Sequence, residues 1–297
     1  ITSNPDLKAE ELSESIGNAN VLIVRSTKVY AETIEAGKSL ELIIRAGAGV
    51  NNIDLEKASN SGVYVANCPG KNSDAVAELT LGHIIACDRR IVDASLDLRS
   101  GNWKKKAYQN AAGLKGRTLG IIGLGSIGSA LAKLAKGLDM NVIAWSRSLT
   151  PDKADKLDLV YCKSIAEVAA NADVVSVHLA VTPDTKQLLN TDFFNKMKDG
   201  AIFVNTSRGE IVDTAALRKA IDEKGLRVGL DVFENEPGSG VAEFDQSDLA
   251  SLITCTPHIA ASTNQASEAI ADEVVRIVDS LIKTGKPINA VNSRDKT

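Results

Sequence analysis

The sequence is poor in the features that mark several protein classes. Four cysteines occur in 297 residues. Cys68, Cys87, Cys162 and Cys255 show no Cys-x-x-C spacing, which argues against a zinc site or a disulfide frame and for reduced, cytoplasmic thiols. No metal is called for. No apolar run reaches membrane-spanning length, and Ile1-Thr-Ser-Asn-Pro-Asp has neither an initiator Met nor a signal-peptide pattern. A net charge of −4 leaves no basic excess for nucleic acid, and the run Lys104–Lys106 is too short to change that. There is no internal repeat and no low-complexity segment. Histidine is also scarce, at positions 83, 178 and 258. What remains is an ordinary globular composition, 44% hydrophobic and 24% charged, with length for about two domains.

The stretch Thr118–Ser129 organises the chain. Leu119–Ile122 is a short apolar run bracketed by glycines, as a buried parallel strand should be. Gly123, Gly125 and Gly128 then give Gly-x-Gly-x-x-Gly, and apolar residues recur at helical spacing over 130–136. Strand, glycine turn and helix in this order predict a dinucleotide site. Gly123 serves the tight turn, Gly125 the close approach of a pyrophosphate, and Gly128 helix–strand packing. Ser126 and Ile127 lie between them at a helix N-terminus, whose free amides and partial positive charge suit phosphate.

Residues 1–74 read as a small α/β unit with a short polar helix over 8–16 and strands at 21–24, 42–44 and 63–65. Ser73–Leu98 reads as one long helix broken by Gly101 and Asn102. Strands then follow at 119–122, 141–145, 159–161, 174–179, 201–205, 226–230 and 252–255, with helices such as 165–170 and 214–224 between them. This alternation predicts doubly wound parallel sheets. The last helix starts at Ser262, with Gln265 completing a capping-box pattern, and ends at Gly285 and Pro287.

Reactive side chains follow three successive strands. They are Arg208 in Asn205-Thr-Ser-Arg208-Gly209, the acids of Asp231-Val-Phe-Glu-Asn-Glu236-Pro237, and His258 in Thr256-Pro-His258. An Arg, a carboxylate and a His at neighbouring carboxyl ends can form a carboxylate clamp, an orienting acid and an acid–base group. His83, in an apolar helix, reads as a satisfied core residue. His178 ends a strand and can line the cofactor crevice.

These motifs, in this order over nearly the whole chain, resemble the D-isomer-specific 2-hydroxyacid dehydrogenase family, and most of all its D-3-phosphoglycerate dehydrogenase branch. The resemblance implies an α/β protein of two doubly wound parallel-sheet domains, Rossmann-like and flavodoxin-like, with a cleft between them. The dinucleotide-binding domain would span 75–262, and the substrate domain 1–74 plus 263–297. It implies hydride transfer between a nicotinamide cofactor and a D-2-hydroxy acid or 2-oxo acid. Arg208 would bind the substrate carboxylate and polarise its carbonyl, His258 would move the O2 proton, and Glu236 would hold the His. Arg45-Ala-Gly-Ala-Gly-Val50 resembles the family's carboxylate loop, with Ala48, Gly49 and Val50 as donors. Arg25, Ser26, Lys28 and Lys105 stand where that branch meets a substrate phosphate; a solvated basic loop is the other reading of 104–106. Thr206 and Asp231 join the expected cofactor contacts, although Asp231 also reads as bonding nearby backbone amides.

Several departures shape the expectations. The family's usual opening strand and helix are missing before residue 8, and no carboxyl-terminal regulatory domain of the kind some relatives carry follows. The loop after Lys106 is a little longer than in the phosphoglycerate branch. Where an acid would meet the NAD ribose about 20 residues past the glycines, the sequence has Ser146, Arg147 and Ser148, which suit a 2′-phosphate and tilt the expectation to NADP over NAD. The alternatives are a glyoxylate/hydroxypyruvate reductase and, of another class, an NAD(H)-sensing co-repressor-like binding protein. A formate dehydrogenase would pair Gln, not Glu, with the His. A homodimer is expected through the long helix and the basic loop after it.

Overall fold

A computed structural model describes residues 1–237 and 242–293. The chain divides into two compact units, one of residues 1–72 with 263–297 and one of 73–262; residues 294–297 lie outside the described part.

The smaller unit is built on three parallel strands in the order β1 (Val21–Val24), β2 (Leu42–Arg45), β3 (Tyr64–Asn67). β2 is the apolar run Leu-Ile-Ile, fully buried as the central strand of a covered sheet should be. Leu12, Ile16, Ile34, Ile43 and Val65 form one core cluster. The second cluster joins Leu42, Ile44, Ala66 and Cys68 to Ile270 and Ile277 of the helix Asn264–Thr284. That helix is why the tail of the chain belongs with its beginning: its apolar stripe buries against this sheet. The Asn292 side chain then fixes the end, accepting from the Val65 amide at 2.7 Å.

The larger unit holds seven parallel strands: β4 (Thr118–Ile122), β5 (Asn141–Trp145), β6 (Val160–Tyr161), β7 (Val174–Val177), β8 (Ile202–Asn205), β9 (Arg227–Leu230) and β10 (Thr254–Cys255). Their order is β10-β9-β8-β7-β4-β5-β6. The strand order reverses between β4 and β7, where doubly wound sheets open a crevice beyond the carboxyl ends. One core cluster, around Phe194, Phe203, Val228 and Leu217, covers one part of the sheet, and a second, around Ile84, Leu119, Leu131 and Val204, another. Because β8, β9 and β10 are adjacent and parallel, the residues that follow them emerge along one edge.

Two sequence expectations are corrected. The helix expected over 73–98 is two helices, Ser73–Arg89 and Ile91–Arg99. Arg90 between them is left-handed at φ 51, and its guanidinium turns to Asp93 at 2.9 Å and lies 4.9 Å over the Tyr108 ring. The last helix is capped by Thr263 rather than Ser262: the Thr263 hydroxyl accepts the Ala266 amide at 3.1 Å.

Candidate active site

At the switch in strand order, Gly123 follows β4 with φ 99. A Cβ there would stand 2.3 Å from the His178 carbonyl oxygen, so the loops after β4 and β7 can touch only if this residue is glycine. Gly125 caps the helix Ser126–Gly137 with no side-chain bond, and a Cβ on it would meet nothing within 4 Å. The first-turn amides of Ser126, Ile127 and Gly128 are thus left without a side-chain acceptor at an open surface. A Cβ on Gly128 would lie 2.3 Å from the Gly123 carbonyl oxygen, so the helix packs directly on the turn. This bare, positively polarised terminus fits the pyrophosphate of a dinucleotide. Past β5, Ser146 is half-buried, and Arg147 and Ser148 are exposed. Arg147 has no partner among the described residues, and the Lys153 ammonium donates to the Ser148 carbonyl at 3.0 Å.

His178 bonds through Nε2 to the Ser176 hydroxyl at 2.9 Å, and its Nδ1 has no partner among the described residues. Burial pushes its pKa down to about 4, so this ring is neutral at pH 7. The Thr206 and Asp231 side chains, expected near the cofactor, are both engaged within the fold. The Thr206 hydroxyl lies 2.7 Å from that of Thr80, whose proton goes to the Val76 carbonyl. Asp231 is fully buried, and its carboxylate accepts the Thr256 hydroxyl at 2.6 Å and the amides of Ile259 and Ala260 at 2.8 and 2.9 Å.

Arg208, Glu236 and His258 come from the loops after β8, β9 and β10. Nδ1 of His258 lies 2.6 Å from Glu236 Oε2, and Glu236 Oε1 accepts the Phe233 amide at 2.9 Å. The carboxylate is therefore held at both oxygens, and the imidazole is left with Nε2 free on a half-exposed ring. Burial alone would raise the Glu236 pKa. The hydrogen bond and charge of His258, the Phe233 amide and the charge of Arg208 outweigh it and hold the carboxyl below the ordinary glutamate range. The Arg208 guanidinium is anchored by NH1 on the Ser207 carbonyl at 2.7 Å, which leaves further donors of its fork to offer.

The family profile described as the NAD binding domain of D-isomer specific 2-hydroxyacid dehydrogenases matches residues 81–260. The chain belongs to the D-isomer specific 2-hydroxyacid dehydrogenases. It is 40% identical to the hydroxypyruvate reductase of Thermotoga maritima over 91% of this chain and 87% of that protein. It is 38% identical to the D-3-phosphoglycerate dehydrogenase of Methanocaldococcus jannaschii over 96% of this chain but only 54% of that protein. The crystal structure of NAD+-bound 3-phosphoglycerate dehydrogenase of Entamoeba histolytica superposes with a TM-score of 0.79, at 28% identity, covering 97% of this chain and 87% of that one. The chain is accordingly a nicotinamide-dependent oxidoreductase of D-2-hydroxy acids, and no helix among its described residues is long and apolar enough to cross a membrane.

In the dehydrogenase's smaller unit, Arg25, Ser26 and Lys28 are exposed on the loop after β1, beside the loop after β2. That second loop carries Ala48, Gly49 and Val50, whose amides find no acceptor among the described residues. In the larger unit, Lys104 is taken up by Asp97 at 2.7 Å, while Lys105 and Lys106 are exposed and without a partner among the described residues.

Sequence reasoning missed two supports of the reactive triad. Asn205 is fully buried at the end of β8; its Oδ1 accepts the Ser207 amide and hydroxyl, and its Nδ2 donates to the Arg208 carbonyl at 2.8 Å. A polar residue ending an apolar strand was the available signal. Gly209 passes beneath the β9 loop so closely that a Cβ would lie 2.0 Å from the Phe233 carbonyl carbon and 2.4 Å from the Glu234 nitrogen. Its neighbours Arg208 and Glu236 approach because that contact is backbone on backbone. Gly209→Ala should push the two loops apart, destabilising the fold by about 1–3 kcal/mol and lowering kcat/KM by roughly tenfold or more, with cofactor affinity near normal. Urea denaturation, steady-state kinetics and a cofactor titration check this; wild-type kinetics for Gly209→Ala would contradict it.

Proposed function

We propose that the protein interconverts a D-2-hydroxy acid and its 2-oxo acid with His258 as the acid–base group, Glu236 as its partner and Arg208 as the substrate clamp. The 2.6 Å contact between His258 and Glu236 carries this reading. With Nδ1 held by the carboxylate, His258 Nε2 delivers a proton to the carbonyl oxygen at C2 during reduction and removes it during oxidation. Arg208 binds the substrate carboxylate and polarises the neighbouring carbonyl. In the smaller unit, the amides of Ala48, Gly49 and Val50, without acceptors among the described residues, suit a carboxylate. A bound nicotinamide supplies or takes the hydride. Phe233, Pro237 and Phe244 line the cavity that adjoins the pair.

The proposed substrate is D-3-phosphoglycerate, or its 2-oxo acid in the reverse direction, because Arg25 and Lys28 offer exposed cations for a second anionic group. One observation favours a second reading, hydroxypyruvate or glyoxylate reduction. The chain spans 87% of the hydroxypyruvate reductase it resembles but about half of the phosphoglycerate dehydrogenase. The proposed cofactor is NADP(H): no acid stands at the end of β5 to repel a 2′-phosphate, and Arg147 with Lys153 supplies positive charge there. The proposed location is the cytoplasm, a reducing compartment that the four unpaired cysteines suit. Ile91, Val92, Leu96, Leu98 and Trp103 are exposed together on and after the helix Ile91–Arg99. An apolar surface of this kind marks an interface, so the proposed assembly is a homodimer.

His258→Ala should lose about 10²–10⁴-fold in kcat while retaining cofactor binding, and wild-type kcat in that variant would remove His258 from the reaction. Glu236→Gln withdraws the carboxylate that holds His258 Nδ1, and kcat should fall by about tenfold or more with cofactor binding retained. In the unmutated protein the pair also adds stability above the ordinary glutamate pKa, lost as the pH drops through the lowered value. For the cofactor, kcat/KM with NADPH should exceed that with NADH by about three- to tenfold, the modest scale of exposed cation contacts; a ratio well below one rejects the preference. Sedimentation at micromolar concentration should return a dimer, and a monomer there would refute the interface.

A further inference from the structure

His83 lies on the helix Ser73–Arg89, 3% exposed. Its ring is pressed against β9 at Gly229, where a Cβ would stand 2.8 Å from His83 Cβ and 3.2 Å from Cγ. Nε2 of this ring is 3.1 Å from the Thr256 hydroxyl, 173 residues away in sequence. The direction of that bond is fixed by its neighbours. The Thr256 hydroxyl has a single proton, and it is committed to Asp231 Oδ1 at 2.6 Å. Toward His83 the hydroxyl can only accept, so Nε2 carries the proton and donates. Burial lowers the His83 pKa against the opposing pull of Asp231, so the ring is neutral at pH 7 and Nε2–H is its one donor.

The chain of bonds continues from Asp231 to the amides of Ile259 and Ala260, the two residues that follow His258. Thr256 and Ile259 therefore fix the loop on both sides of it. His258 needs this, because its backbone is left-handed at φ 52, a strained conformation for a non-glycine residue. Its own amide is held at 2.8 Å by the Asp231 carbonyl. Its half-exposed ring is held among the described residues only by Glu236. The place of Nε2 is thus set by the loop, and the loop by the buried relay.

We propose that His83 is a positioning residue for His258, acting through the Thr256 hydroxyl and the Asp231 carboxylate. This rests on the reading of His258 as the acid–base group. The Nε2–H of His83 pins the Thr256 hydroxyl so that its proton points at Asp231. Without it the hydroxyl is free to rotate, Asp231 loses a donor, and the loop can relax from the left-handed conformation.

The test compares the unmutated enzyme with His83→Leu, which keeps the apolar volume but removes the donor, and His83→Gln, whose side-chain amide can donate in its place. Kinetics use hydroxypyruvate with NADPH and NADH, and amide hydrogen exchange is read at Ile259 and Ala260. His83→Leu should lower kcat about five- to tenfold, the size of one lost neutral hydrogen bond, with KM for the cofactor unchanged within about twofold. Exchange at Ile259 and Ala260 should accelerate by a similar factor. His83→Gln should recover most of both. Wild-type kcat and protection in His83→Leu would overturn the proposal, as would a Gln variant as impaired as Leu, which would make the residue mere packing. If the Leu variant does not fold, His83→Phe takes its place with the same expectations. If the unmutated protein turns over no 2-oxo acid, the functional reading fails, while the exchange data still decide the role of His83.

Discussion

The buried carboxylate of Asp231 ties the end of β9 to the loop after β10. It takes three donors, a hydroxyl and two amides, all from the segment Thr256–Ala260. A buried carboxylate is costly unless its lone pairs are filled, so these bonds can hold only while the loop keeps one shape. That shape puts His258 in a left-handed conformation with its ring against Glu236. Strain in the loop and satisfaction of the carboxylate are two sides of one arrangement: moving His258 to a relaxed backbone would strip amides from a fully buried group.

The parallel sheet makes the arrangement available. β8, β9 and β10 are neighbours, so a clamp, a partner acid and an acid–base group borne just past their ends lie side by side without long loops. The glycine turn after β4 meets the loop after β7 on the same edge of the sheet. Two close approaches, at Gly123 and at Gly209, let backbone run against backbone where a side chain would hold the loops apart. The family relation adds which chemistry such an edge serves, while the residues themselves argue how.

Much of this was legible in the sequence. The apolar runs located every strand of the larger unit to within a few residues, because buried parallel strands have little choice of composition; β7 and β10 are each two residues shorter than their runs. Arg208 and His258 each lie three residues past a strand, whereas Glu236, six residues past β9, reads alone as a polar surface loop and stood out only beside His258 and the family resemblance. The break at Arg90 was not legible, since nothing in an Ala- and Leu-rich stretch marks one Arg as left-handed. The cap at Thr263 was missed by one residue because Ser262 and Thr263 have the same capping chemistry, and only the backbone chooses. Asn205 and Gly209 were visible as letters, but their work depends on contacts with another loop. The relay from His83 to Thr256 spans 173 residues and has no local signature at all. Local pattern reveals elements; the polar contacts that position them are tertiary.

The central claim is that Glu236 acts on the reaction through His258. A double-mutant cycle on kcat/KM tests it most directly, with Glu236→Gln, His258→Ala and the double variant measured at one pH. If the two side chains work as a unit, Glu236→Gln costs nothing further once His258 is gone, and the cycle shows a coupling near the full effect of Glu236→Gln alone. Additive losses would contradict the account and show that Glu236 acts on the substrate or the fold by some route other than His258.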